Sequence, residues 1–123
     1  MRITLNKKAF EFAKKLIHER KFSDKHGRPD AKHGHPTNDQ ENEFLKTHSW
    51  EEFGRWYLGA HQDRPENKRE RYDFPMGDYT VLHRSDLLEI QKKSHEYNYD
   101  DITDAAKELV ALIDKKTDNH QKG

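Results

Sequence analysis

The feature that most constrains this chain is the apolar stripe Ile102, Ala105, Ala106, Leu109, Leu112 and Ile113. Its i, i+3, i+4, i+7 spacing gathers the apolar side chains on one face of an α-helix. Such a face must be covered by a second apolar surface, and this chain has little to cover it with. Leu, Ile, Val and Phe make up 22 of its 123 residues, and 37% of residues are charged. A composition so poor in apolar residues signals disorder only when net charge is also high. Here 23 basic residues balance 23 acidic ones. Self-repulsion therefore does not oppose collapse, and one small core is expected.

A matching stripe lies near the start. Asn6 is a good N-cap, Leu5 can staple to Phe10, and Ala9, Phe12, Ala13, Leu16 and Ile17 predict a helix over about 7–20. Residues 21–38 hold two Gly, two Pro and three His with almost nothing apolar, and read as a mobile loop. Thr37 or Asn38 can cap a short helix to about Thr47, with Phe44 and Leu45 turned inward. Ser49 and Glu52 form an S-x-x-E capping box. Trp50, Phe53, Trp56 and Tyr57 then make an aromatic helical face, with Gly59 as its stop.

From Ala60 to Thr80 the chain turns polar and is broken by Pro and Gly. Within it, Tyr72 to Asp78 reads as an ordered turn anchored by aromatic rings. Pro75 should hold Phe74 extended, and Gly77 should supply a positive φ. Helices over about 82–96, with Leu82, Leu87 and Ile90 inward, and from Asp100 to about Lys115 close the chain. Val and Ile together number seven, and no run alternates. The expectation is an all-α single domain of four or five helices over 1–116, with a mobile loop at about 21–37 and a disordered tail at 117–123.

Several function classes drop out on composition. No apolar run approaches the roughly 20 residues that span a bilayer, so no membrane partner is expected. The opening MRITLNKKAF lacks the apolar segment of a signal peptide, which suits the cytoplasm. With no cysteine there is no disulfide, thiol nucleophile or cysteine-bound zinc. There is no G-x-S-x-G, P-loop or G-x-G-x-x-G, and no cofactor is expected.

Four groups of residues remain as candidate sites. His26, His33 and His35, with Asp30, could supply imidazole and carboxylate to a divalent ion, but their loop looks unable to hold a fixed geometry, and no metal site is expected. Asp78, His83 and Arg84 place carboxylate, base and cation close together, as a small active site would. The favoured reading is a polar network pinning the turn to the next helix. Residues 1–38 carry ten basic and four acidic residues. Lys7, Lys8, Lys14, Lys15, Arg20 and Lys21 could therefore meet a phosphate backbone, or simply solvate a helix. Trp56, Tyr72 and Phe74 are either the centre of the core or the walls of a binding groove.

The strings Gly54-Arg-Trp-Tyr-Leu-Gly59, Arg71-Tyr-Asp-Phe-Pro-Met-Gly-Asp78 and Val81-Leu-His-Arg84 resemble those of a group of small uncharacterised bacterial proteins. That group carries G-[KR]-W-[HY]-L-G, K-x-R-Y-x-F-P-x-G-D and V-H-R segments, and some of its similar segments lie beside phage head-maturation proteins. The resemblance covers about residues 3–114; Asp86 and Glu89 make the helix after Arg84 more polar than the group's pattern. It implies domain boundaries and no activity. The expected function is that of a non-enzymatic interaction or accessory protein with a protein partner. Nucleic-acid association through the basic helix is the alternative, and a small enzyme at Asp78, His83 and Arg84 the third reading.

Overall fold

The computed structural model describes residues 3–23 and 37–122, with side chains to Thr117. In chain order the elements are β1 (Thr4–Leu5), α1 (Lys7–His18), β2 (Phe22–Ser23), α2 (Asn38–Thr47), α3 (Trp50–Gly54) and β3 (Tyr57–Ala60). A short 3-10 turn at Arg69–Arg71 leads to β4 (Tyr72–Pro75), β5 (Leu82–His83), α4 (Arg84–Glu96) and α5 (Asp100–Lys122). The fold is mixed α/β, and the all-α expectation is wrong. β1, β3 and β4 form an antiparallel sheet with β3 in the middle, while β2 and β5 pair in parallel.

The helices form where sequence pattern and capping agree. Thr37 and Ser49 each accept a hydrogen bond from the backbone N–H three residues on, and Gln40 and Glu52 reach back to complete two capping boxes. Asn6 precedes α1 but does not cap it. Its side-chain amide instead donates to the carbonyls of Gly54 and Tyr57, both at 3.0 Å, tying α1 to the start of β3. The stripes of α1 and α5 meet as expected: Ala9, Ala13, Leu16 and Ile17 join Ile102, Ala106, Leu109 and Ile113 in one core with Phe53, Trp56, Leu87 and Ile90.

The strands are where the expectations fail. The aromatic helix predicted through Tyr57 stops at Gly54, where the Tyr72 ring lies 2.6 Å from the place a Cβ would occupy. Trp56 then turns, and Tyr57 to Ala60 run as a strand with all four residues buried. Gly59 is therefore a strand residue, not a helix stop. It is covered by Ile3, Phe74 and Ile102. β4 pairs with it in the register Gly59↔Asp73 and Tyr57↔Pro75. The helix predicted from 82 begins at Arg84, since Leu82 and His83 pair with Phe22 and Ser23. Those last two residues open the segment expected to be loop.

Backbone strain also falls in unexpected places. Gly77 does not adopt a positive φ; Phe74 (63°) and Tyr79 (68°) do. Phe74 is thus not the extended residue its neighbour Pro75 implies. Its N–H donates to its neighbour's carboxylate, Asp73 Oδ1, at 2.9 Å.

Candidate functional site

The three segments that carry the resemblance form one continuous piece of structure. β3 holds Tyr57 to Gly59, β4 lies beside it, and the Met76 N–H donates to the Trp56 carbonyl at 2.9 Å. The chain then turns through residues 77–81, and the His83 N–H returns to the Met76 carbonyl at 3.0 Å. This brings Asp78 and His83 together at the entry to α4.

Asp78 Oδ1 accepts the backbone N–H groups of Thr80 (3.0 Å) and Val81 (2.9 Å), and Oδ2 accepts His83 Nε2–H at 3.0 Å. Partial burial pushes the Asp78 carboxyl up. The Val81 N–H, the His83 ring and the Thr80 N–H outweigh this and hold it below the usual carboxylate range. His83 is only 5% exposed. Arg84 turns away from this pair. Its Nε and a terminal nitrogen grip both oxygens of Asp114 at 2.8 and 3.0 Å, a two-pronged clamp from α4 to α5. Asp78 therefore braces the turn and pairs with His83, and neither caps α4 nor binds Arg84.

Trp56 (5% exposed) and Phe74 (8%) belong to the core. The Trp56 ring meets Phe12 and Tyr79 edge-on. Phe74 packs over Gly59 and edge-on to Tyr99. Tyr72 is half-buried, and its hydroxyl donates to the Glu66 carbonyl at 2.6 Å. It forms part of a groove of about 550 Å³ together with Lys7, Lys8, Arg55 and Arg71. Glu51, Glu66 and Asp101 enter the same groove, so its charge is mixed. Four grooves described on the surface take none of Asp78, His83 and Arg84 into their walls.

The lysines of α1 share one exposed arc that Glu11 interrupts. At about 100° per residue, Lys7 and Lys14 fall on one flank of the exposed arc and Lys8 and Lys15 on the other, with Glu11 between them. Lys14 pairs with Glu11 at 3.1 Å and Lys21 with Glu19 at 3.4 Å. Arg20 takes a positive φ just past α1 and donates to the Lys116 carbonyl. His26, His33, His35 and Asp30 lie outside the described residues. Among the described residues no group of three or more His, Asp or Glu could hold a metal ion.

The sequence reading missed Asp86. In the first turn of α4 it is fully buried, and burial raises its carboxyl to about 8, helped by the nearby charges of Glu89 and Asp78. The only signal was a carboxylate beside the inward-facing Leu87, in a helix more polar than the resemblance leads one to expect. A group whose pKa is higher folded than unfolded favours folding at low pH, and that contribution is lost as pH rises. Here the window runs from the ordinary value of 3.8 to about 8. Asp86→Asn is expected to remove this slope. In denaturation midpoints taken from pH 5 to pH 8.5, the variant should gain on the parent as pH rises, by at most about 1.4 kcal/mol per pH unit. Parallel profiles would show that Asp86 does not titrate in this window.

Comparison with protein-family models, curated proteins and solved structures returned no match. No helix among the described residues is long and apolar enough to cross a membrane.

Proposed function

We propose that the protein is a non-enzymatic, cytoplasmic interaction module that binds another protein. The observation that carries this reading is the fate of the reactive side chains. His83, Asp78, Arg84 and the Tyr57–Tyr79 hydroxyl pair at 2.6 Å are all spent on one another or on the fold. Burial raises Tyr79 and, further still, Tyr57, so neither hydroxyl ionises near neutral pH. A catalytic group needs access to substrate; His83 is buried, and Asp78 and Arg84, only partly open, are already engaged. The pairing of Lys14 with Glu11 and of Lys21 with Glu19 interrupts the basic face, which favours a protein partner over a phosphate backbone that calls for a continuous basic track.

The discriminating experiment is a salt titration of binding to duplex and single-stranded DNA and to RNA. The interaction reading expects no saturable binding at low salt. Saturable binding that weakens steeply with salt, and is lost in Lys7→Glu/Lys8→Glu or Lys14→Glu/Lys15→Glu variants, would replace it with the nucleic-acid reading.

A further inference from the structure

A second groove, of about 380 Å³, runs along the seam between α1 and α5. Its lining is Lys14, Ile17 and His18 from α1 and Leu112, Lys115 and Lys116 from α5. The floor is therefore two aliphatic side chains, Ile17 buried and Leu112 partly open, and every other lining residue is basic or a histidine. Lysine stems can extend that apolar floor while their ammonium groups stay in water. Of the acidic residues alongside, Glu11 is paired with Lys14, Glu19 with Lys21, and Asp114 with Arg84. Arg20 adds a further cation alongside, held by its bond to the Lys116 carbonyl at 3.5 Å. This differs from the groove at Tyr72, where both signs of charge meet.

We infer that this seam docks an acidic amphipathic helix of a partner protein, an assignment that rests on the interaction reading above. Two parallel ridges with an apolar trough between them accept a third helix by inserting one or two of its leucine-sized side chains. The cationic rims select glutamate or aspartate on the flanks of that stripe. Complementary rim charge of this kind steers encounter and fixes register more than it adds raw affinity. A nucleic acid gains nothing from an aliphatic floor, and His18 is the single ring in this lining on which a base could stack. A free fatty acid is also a poor occupant, because two side chains cannot cover an acyl chain.

The test uses the full chain and a fluorescent probe peptide, helical, with a leucine stripe flanked by glutamates. A second probe carries glutamine at every glutamate, and single-stranded DNA and phosphatidylglycerol vesicles serve as the other anionic probes. The glutamate peptide is expected to bind saturably. Both the glutamine probe and the Lys115→Glu/Lys116→Glu variant should weaken it about tenfold. Leu112→Ser should weaken it without changing the salt dependence, because it removes floor and not charge. Circular dichroism and the denaturation midpoint establish that each variant folds.

Equal affinity for both peptides, or indifference to the lysine reversals, overturns the assignment, as does the absence of saturable peptide binding. Tighter binding of vesicles or DNA than of peptide, lost in the same variants, also overturns it. So does a stable dimer in sedimentation that Leu112→Glu dissociates, since the occupant is then a second copy. Peptide failure with a flat DNA titration removes this groove only. Peptide failure with salt-sensitive DNA binding removes the interaction reading as well.

Discussion

Phe74→Ala is expected to cost about 3–5 kcal/mol of stability, the range for deleting a buried aromatic ring, as read from the urea or guanidinium midpoint. The ring is 8% exposed and covers Gly59, the residue of β3 with no side chain of its own at that point. Removing it opens a void bounded by Ile3, Ile102 and Tyr99, on elements fixed by sheet pairing and the α5 stripe. Such a site collapses poorly, which places the cost toward the upper part of the range.

The backbone adds a sharper expectation. Phe74 holds φ at 63°, a conformation that costs a residue with a Cβ about 1–2 kcal/mol. Alanine keeps that cost and glycine does not. Phe74→Gly should therefore be no less stable than Phe74→Ala, reversing the usual preference for alanine over glycine by roughly 0.5–1 kcal/mol within a strand. If Phe74→Ala leaves the midpoint unchanged, the ring is not a core residue and the aromatic cluster must be read as a surface. If glycine is markedly worse than alanine, the positive φ is not the native conformation.

What could be read from the sequence and what could not divides along a physical line. Both long stripes, in α1 and α5, and the Ser49–Glu52 box were legible because a helix writes its signal locally, within four residues. The strands were not. β1, β2 and β5 are two residues long, and β3 is buried on both faces. A strand that short, or one with no solvent face, shows no alternation. Phe53, Trp56 and Tyr57 are spaced i, i+3, i+4, and they mimicked a helical face while their rings gathered from α3, the turn after it and β3 around Tyr72 and Tyr79.

The candidate site divides in the same way. Asp78 and His83 stand five residues apart, so their meeting could be anticipated. Arg84 and Asp114 are thirty apart, and nothing local announces that clamp. The α1–α5 seam was equally hidden. Lys14, Lys115 and Lys116 each look like ordinary solvation, and only the packing of two helices sets them around Ile17 and Leu112.

Gly77→Ala should be the most damaging single-methyl change at a glycine in this fold, at about 3 kcal/mol, the upper end of the usual cost of overpacking. The reason is space and not torsion. A Cβ there would lie 2.2 Å from the Val81 carbonyl oxygen and 3.1 Å from Leu82 Cα. Both are backbone atoms of a turn that cannot step aside cheaply: Gly77 bridges to Leu82, and the Val81 carbonyl accepts the Asp78 N–H. Gly54→Ala meets the Tyr72 ring, at 2.6 Å, a side chain and not backbone, which can shift by giving up its hydroxyl's bond to the Glu66 carbonyl. Its cost should be clearly smaller. The two variants also differ in what they disturb. Displacing Val81 pulls its N–H from Asp78 Oδ1 and loosens the carboxylate that His83 donates to. Gly77→Ala should therefore shift the His83 ring resonances in NMR and expose that ring to solvent, while Gly54→Ala leaves them in place. Equal midpoints for the two variants, or an unmoved His83 in Gly77→Ala, would mean that the turn yields to the added methyl and does not hold the Asp78–His83 pair in position.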